Sequence, residues 1–156
     1  MTAAYSHRPL GALDLDLASA LHAEAFAPLG ERGWTRREMA ELLAAPGVAG
    51  LVLQSGRKEV GLALWRVAAD EAELLTVAIR PDCRRRGAGR ALVELVVALA
   101  RERAAGSLFL EVGADNAAAL ALYRAMGFRQ VGHRCAYYRR VDRPAADAIV
   151  MRLGLD

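Results

Sequence analysis

The sequence predicts a mixed α/β fold, one domain over residues 1–156, with a central mixed sheet in the order β-α-α-β-β-β-α-β-α-β-β. Three observations carry that expectation. Apolar runs of strand length, separated by tight turn residues, fill 48–79. Longer stretches with apolar residues at helical spacing stand before, between and after them. Hydrophobic residues make up 54% of 156 positions, enough for the core of one domain without help from a partner subunit.

Residues 5–10 read as a short first strand. Leu13 to Phe26 follows as an amphipathic helix, with Leu13, Leu17, Ala20, Leu21 and Phe26 on its apolar stripe. Trp34-Thr35-Arg36-Arg37-Glu38-Met39 is a helix start: Thr35 caps, Glu38 completes a capping box, and Trp34 staples onto Met39. Pro46-Gly47 stops that helix. Val48 to Leu53, Val60 to Ala68 and Ala72 to Ile79 then form an antiparallel meander, turned at Ser55-Gly56-Arg57-Lys58 and Ala69-Asp70-Glu71. Gly89 to Ala105 is a helix apolar on more than one side, so it packs on the sheet beneath neighbours, and Gly106 ends it. Ser107 to Val112 is a strand. Asp115 caps a helix from about Asn116 to Met126, which Gly127 terminates. Strands near Arg129 to Arg140 and Asp147 to Leu153 complete the order.

Bulk properties exclude several classes. Net charge is +3, and Lys58 is the one lysine; the arginines cluster at 80–90 and 134–143. Concentrated arginine suits bidentate phosphate contacts, whereas a nucleic-acid face spreads basic residues among stacking aromatics, and only 6% of this chain is aromatic. Cys83 and Cys135 lie far apart without metal-site spacing, so neither a disulfide framework nor a zinc site is expected. Residues 1–8 lack the apolar core of a signal peptide. The apolar run Ala91 to Ala100 contains Glu94 and is half a membrane span. A soluble, unprocessed, cytoplasmic protein is the expectation.

Chemistry concentrates where the strand ending Val77-Ala78-Ile79 passes through Arg80-Pro81-Asp82-Cys83-Arg84-Arg85-Arg86-Gly87-Ala88-Gly89-Arg90 into a helix. Glycines allow close backbone approach, and the first helical turn offers unpaired N–H groups with positive charge behind them, so the turn is built for phosphate. Arg84, Gly87 and Gly89 make R-x-x-G-x-G, which is neither the dinucleotide fingerprint nor the Walker loop. A second block runs from Leu110-Glu111-Val112 through Asn116 and Leu122-Tyr123 to Gly127-Phe128.

The first pattern resembles the coenzyme A loop of the GNAT superfamily of acetyl-CoA-dependent N-acetyltransferases. The second resembles the block L-E-V-x-x-x-N-x-x-A-x-x-L-Y-x-x-x-G-F of one branch, the bacterial ribosomal-protein alanine N-acetyltransferases and related protein N-terminal acetyltransferases. Similarity extends to His133-Arg134-Cys135-Ala136-Tyr137-Tyr138 and Asp147 to Met151, covering roughly 70–153; the first 65 residues match in element order alone. The resemblance implies a twisted sheet whose strands carrying Val77 and Glu111 splay apart to admit the acetyl-pantetheine arm. It implies acetyl-CoA as donor, no metal, Glu111 as general base and Tyr123 as the acid for the coenzyme A sulfur. Cofactor contacts fall on Val77, Ala78 and Ile79 through the main chain, on Arg84, Arg85, Arg86, Gly87, Ala88, Gly89 and Arg90, and on Asn116.

Each assignment has a plainer alternative in the residues themselves. Glu111 also reads as a strand glutamate in water, Tyr123 as a core tyrosine, Asn116 as a helix-start polar residue. Glu73, taken as lying on the same strand face as Ile79, is a second possible base or a solvated strand end. Tyr137 and Tyr138 fit a peptide groove or ordinary packing. Gly113 stands where the resembled block usually has Arg, and Asp115 where it often has Ser; the glycine removes a charge near the substrate mouth.

The acceptor expected is the α-amine of a protein N-terminus, probed first with alanine of a ribosomal protein. An α-amine with pKa near 8 is about 2.5 pH units, roughly 3.4 kcal/mol, easier to deprotonate than lysine, which suits a single carboxylate base. No positioned cysteine argues for a covalent enzyme intermediate, so transfer is direct. A small-molecule amine acetyltransferase is the alternative, with a basic nucleic-acid or ribosome-binding protein and a non-catalytic acetyl-CoA sensor behind it.

Overall fold

The computed structural model describes residues 4–156. Its elements are β1 (Ser6–Pro9), α1 (Leu15–Phe26), α2 (Arg36–Ala44), β2 (Val48–Ser55), β3 (Lys58–Ala68), β4 (Glu71–Ile79), α3 (Ala88–Glu102), β5 (Ser107–Gly113), α4 (Ala117–Ala125), β6 (Arg129–Tyr138) and β7 (Ala146–Gly154). That is the predicted order. The strands form one sheet, β1-β2-β3-β4-β5-β7-β6, antiparallel throughout except for β4 and β5, which run parallel because α3 crosses over between them. No helix among the described residues is long and apolar enough to cross a membrane.

Both faces of the meander are covered, which is why β2 and β3 read as continuous apolar runs. Leu51, Leu53, Ala63 and Trp65 face a core shared with α3 and α4, while Val52, Leu62 and Leu64 alternate to the face covered by α1 and α2. Leu92, Val93, Val96 and Ala100 of α3 are fully buried. The α1 stripe differs from expectation. Leu13 is wholly exposed in a short 3-10 turn at 12–14, and the buried face runs through Leu15, Ala18, Leu21, His22 and Ala25.

Helix ends refine the sequence reading. Thr35 caps α2 as expected, its hydroxyl accepting from the Glu38 N–H at 3.1 Å, but the Glu38 carboxylate accepts from Arg32 (2.9 Å) instead of closing the box. A guanidinium outcompetes a backbone N–H. Trp34 stacks on His22, ring centroids 4.4 Å apart, and packs against the core that includes Met39. At α4 the cap is Asn116, which accepts from the Ala119 N–H at 3.3 Å; Asp115 is drawn off by Arg140. Gly127 closes α4 at φ 96°, with Phe128 N–H donating to Tyr123 and Gly127 N–H to Arg124. The same double bond ends α3 earlier than Gly106, from Ala105 to Ala100 and Ala104 to Arg101, which forces Ala104 to φ 61°. Gly106 instead donates to the Asp70 carbonyl and accepts from Leu155.

Two irregularities open the sheet. Register between β3 and β4 passes from Leu64↔Thr76 to Trp65↔Leu74, so Leu75 is an extra residue, a bulge that sharpens local twist. Pairing between β4 and β5 runs from Glu71↔Ser107 to Leu74↔Leu110 and stops there, although β4 continues to Ile79 and β5 to Gly113. This is the splay that the family resemblance implies. The bulge also overturns the expected alignment of Glu73 with Ile79. Ala72 and Leu74 before it share a core with Val77 and Ile79 after it, so Glu73 projects to the opposite face from Ile79.

Candidate active site

The splay is the floor of a cavity of about 950 Å³. One lip is β4 from Glu73 to Val77 with Ile79; the other is Leu110, Glu111, Val112 and Gly113 of β5. The start of α3 closes one end with Arg84, Arg85, Gly87, Ala88, Gly89 and Arg90, and α4 adds Asn116, Leu122 and Tyr123 along the side. The opposite end is built by Glu31 and Trp34, from the segment between α1 and α2, and by Arg134, Tyr137, Tyr138 and Arg140 from β6 and just beyond. The structure therefore gathers nearly every sequence-predicted site residue around one space. Ala78 and Arg86 are the exceptions. Ala78 is buried on the α1/α2 face, and Arg86 offers its carbonyl to the Tyr5 hydroxyl at 2.8 Å.

The turn into α3 depends on left-handed backbone at two residues, Arg85 at φ 60° and Gly87 at φ 81°. A Cβ on Gly87 would meet nothing within 4 Å, so glycine is needed there for its dihedral and not for room. At Gly89 the nearest obstacle would be Leu122 Cδ2 at 3.3 Å, the end of a flexible side chain. Ala91 is the first residue of α3 whose N–H reaches back to this turn, to Gly87. The N–H groups of Ala88, Gly89 and Arg90 precede it, at the positive end of the helix dipole. The basic side chains divide their attention: Arg84 donates to the Ala25 carbonyl and Arg90 pairs with Glu94.

Glu111 is mostly covered and lies 3.1 Å from Arg134 Nη2. Tyr123 is buried against Phe128, ring centroids 5.5 Å apart, and burial pushes its phenol up to about 12. Tyr138 is pushed up further, first by burial and then by the negative charges of Glu111 and Glu31, which sets it electrostatically beside the Glu111 carboxylate. Tyr137 makes an edge contact with it at 5.1 Å and lies under Arg134. Glu73 lines the cavity but is engaged by Arg66 at 2.6 Å.

Five polar wall residues were given no place in the site by the sequence: Glu31, Arg134, Arg140, His22 and Thr76. Arg134 approaches Glu111 across the sheet, and Arg140 binds Asp115 through two bonds of 3.0 and 2.9 Å while contacting Glu31 at 3.3 Å. Gly113 itself brings no charge to the mouth, but two guanidinium groups reach the same region from 134 and 140, each paired with carboxylates. His22 accepts the Trp34 N–H at Nδ1 (3.0 Å), so its Nε2–H donates to Thr76 Oγ1 (3.3 Å). Arg140 and Glu31 are 109 positions apart, His22 and Thr76 54, and no local pattern announces such pairs. Outside the cavity, the bulge in β6 brings Cys135 near His133 and Asp147, with ligand atoms within 4.8 Å of one another; their spacing in sequence did not suggest it.

Comparison with known proteins agrees with this geometry. Residues 17–128 match the model of the acetyltransferase (GNAT) family. The chain is 41% identical over 103 residues, 66% of its length and 69% of the relative's, to the [ribosomal protein bS18]-alanine N-acetyltransferase of Escherichia coli K12. It is 37% identical to the N-alpha-acetyltransferase RimI of Mycobacterium tuberculosis, across 97% of this chain and 96% of that one. The crystal structure of the Escherichia coli ribosomal-protein-S18-alanine N-acetyltransferase superposes with a TM-score of 0.88 at 33% identity, over 98% of this chain and 95% of the other. With the family model covering most of the chain, a relative matched along nearly its whole length, and the cavity at a splayed parallel pair, the chain belongs to the acetyltransferase (GNAT) family.

Proposed function

We propose that this enzyme transfers the acetyl group of acetyl-CoA to the N-terminal α-amine of a protein, directly and without a covalent enzyme intermediate, with a small first residue such as alanine as the preferred acceptor. The observation that carries the reading is one cavity joining the α3 turn, the unpaired lip of β4, Glu111 and Tyr123. Relatives named for acetylating the alanine of ribosomal protein bS18 support the acceptor class and make a ribosomal protein the first partner to test. Residues 1–156 act as one catalytic domain in this reading, in the cytoplasm, where Cys83 and Cys135 stay reduced.

The chain's residues divide the work. The helix-start N–H groups and the arginines of the α3 turn hold the phosphates of acetyl-CoA, Asn116 contacts it further along, and the main chain of Val77 to Ile79 pairs with its extended arm like an added strand. Bound acetyl-CoA supplies the activated acyl carbon. Glu111 takes the proton that the acceptor ammonium must lose before the neutral amine can attack the thioester carbon, and Tyr138 with Tyr137 shapes the space in which that amine sits. Unpaired N–H groups on β4 face the carbonyl oxygen where negative charge develops. Tyr123 donates its phenol proton toward the leaving sulfur. With burial holding that phenol near 12 and a thiol near 8.5, a strong hydrogen bond to the thiolate is favoured over full transfer.

An acetylation assay over a library of short peptides with varied first residues, read by mass spectrometry, tests the reading. Peptides with free N-terminal Ala gain one acetyl on the α-amine, and blocking that amine abolishes transfer even with internal lysines present. Acetyl groups found only on lysine side chains, or only on small free amines, would replace the acceptor proposed here.

A further inference from the structure

Arg140 lies just past β6, in the arginine-rich stretch 134–143 but outside the two motifs that marked the site, and it is the most buried charge in the wall of the cavity, with a side chain 1% exposed. Its guanidinium is shared by two segments remote in sequence and by the end of the strand that it follows. It binds Asp115 at the entry to α4 through Nε and Nη2, reaches Glu31 between α1 and α2 through Nη1, and lies over the Tyr138 ring at 5.3 Å. One residue on, the Val141 N–H donates to the Gly30 carbonyl at 2.7 Å, so the chain after β6 is seamed to the segment after α1.

Gly113 completes the arrangement. An ideal Cβ on it would fall 2.6 Å from Asp115 Oδ1 and 2.8 Å from Arg140 Nη2, distances that real Cβ contacts do not reach. These are the atoms of the bidentate pair itself. The glycine is therefore the space in which the ion pair sits, which accounts for a departure from the resembled block that otherwise reads as a simple loss of charge.

We propose that Arg140 is a positioning residue for the acceptor: by binding Asp115 and Glu31 at once it joins the two segments that frame the acceptor end of the cavity, and Gly113, lacking a side chain, leaves the room for that pair. The inference rests on the reading of that end as the acceptor mouth. Arg140 itself touches no reacting group. It sets where Glu31, Tyr138 and the segment 27–35 stand relative to Glu111, and so acts on acceptor binding more than on acetyl-CoA binding. A buried guanidinium with two carboxylates is suited to this, because losing it strands uncompensated charge that must move toward water and carry its loop along.

The test compares Arg140→Met, Gly113→Ala and the double variant. Arg140→Met is expected to raise the KM for an N-terminal peptide by about ten-fold or more, since small misplacements of a reacting pair are costly, with acetyl-CoA affinity within two-fold of the parent. Gly113→Ala is expected to do the same in milder form, and the double variant to be no worse than Arg140→Met, because both act on one contact. An unchanged KM in Arg140→Met, or additive losses in the double variant, overturns the proposal. Hydrogen exchange gives a second readout that needs no acceptor. Val141, whose N–H is the seam, should lose about ten-fold or more of its protection in Arg140→Met and in Gly113→Ala, while β5 amides keep theirs. If the parent enzyme acetylates some other amine, the peptide reading fails while this exchange result still decides the seam; equal protection of Val141 in parent and variants would overturn it.

Discussion

At the residue scale the proposed base and acid, a carboxylate and a phenol, are held in different surroundings. Glu111 is ion-paired with Arg134 at the cavity edge, whereas Tyr123 is enclosed by apolar groups. Glu111→Gln preserves shape and removes the proposed base, so turnover should fall roughly 10²-fold near neutral pH while calorimetry finds acetyl-CoA affinity nearly intact. Tyr123→Phe should likewise lower turnover and spare binding. Full activity in Glu111→Gln with none in Glu73→Gln would move the base to β4. His22 carries a different prediction. Burial holds its imidazole down to about 4, partly opposed by the charge of Glu38, and the neutral ring joins Trp34 to Thr76. An unfolded histidine near 6.5 binds protons that the folded one refuses, so the contribution is fully present above about pH 6.5 and is lost as pH falls toward 4. The span is worth about 3 kcal/mol. Thermal melts from pH 7 to 4 should show this loss, and His22→Gln should flatten it; a parallel decline in both proteins would assign the acid sensitivity to other groups.

At the element scale, how a helix ends is decided by which residue can sit in left-handed backbone. α4 stops at Gly127, which does so freely, but α3 stops two residues before the glycine that the sequence offers, because Gly106 is held by the Asp70 and Leu155 hydrogen bonds at the turn into β5. Ala104 bears the strain. Ala104→Gly should stabilise the protein by about 1 kcal/mol, the penalty of a Cβ in that region less the added freedom of the unfolded chain. A melting temperature higher by about 2–4 °C is the expected reading, and no rise would mean that the turn tolerates alanine without strain. The entry to α4 follows the same logic of competition. Asn116 caps because Asp115, the nominal candidate, is held by a guanidinium that binds a carboxylate more strongly than a backbone N–H does.

At the scale of the whole molecule, the cavity opens where one parallel strand pair stops pairing. β4–β5 pairing ends at Leu74↔Leu110, so the β4 amides that point toward β5 beyond Leu74 should exchange quickly in the free enzyme and slow on adding acetyl-CoA, while those of residues 71–74 stay protected throughout. Unchanged exchange beyond Leu74 with acetyl-CoA bound would mean that the arm lies elsewhere. Element order, the position of the two turns of the meander and the glycine-bearing turn into α3 were legible in the chain itself, because each is written in neighbouring residues as spacing, glycine placement or strand and helix period; Glu111 and Tyr123 were marked by the resembled block and meet in the cavity. The Leu75 bulge that turns Glu73 away from Ile79 was not, since a bulge is a mismatch between two strands and leaves no mark on either alone. Nor were the Arg134–Glu111 pair, the Arg140 seam or the His22–Thr76 bond, whose members lie 23 to 109 positions apart. Local sequence determined the elements and marked the candidate site residues; which charges and rings face them was decided only when the sheet brought distant segments together, because side-chain pairing depends on register and packing in three dimensions.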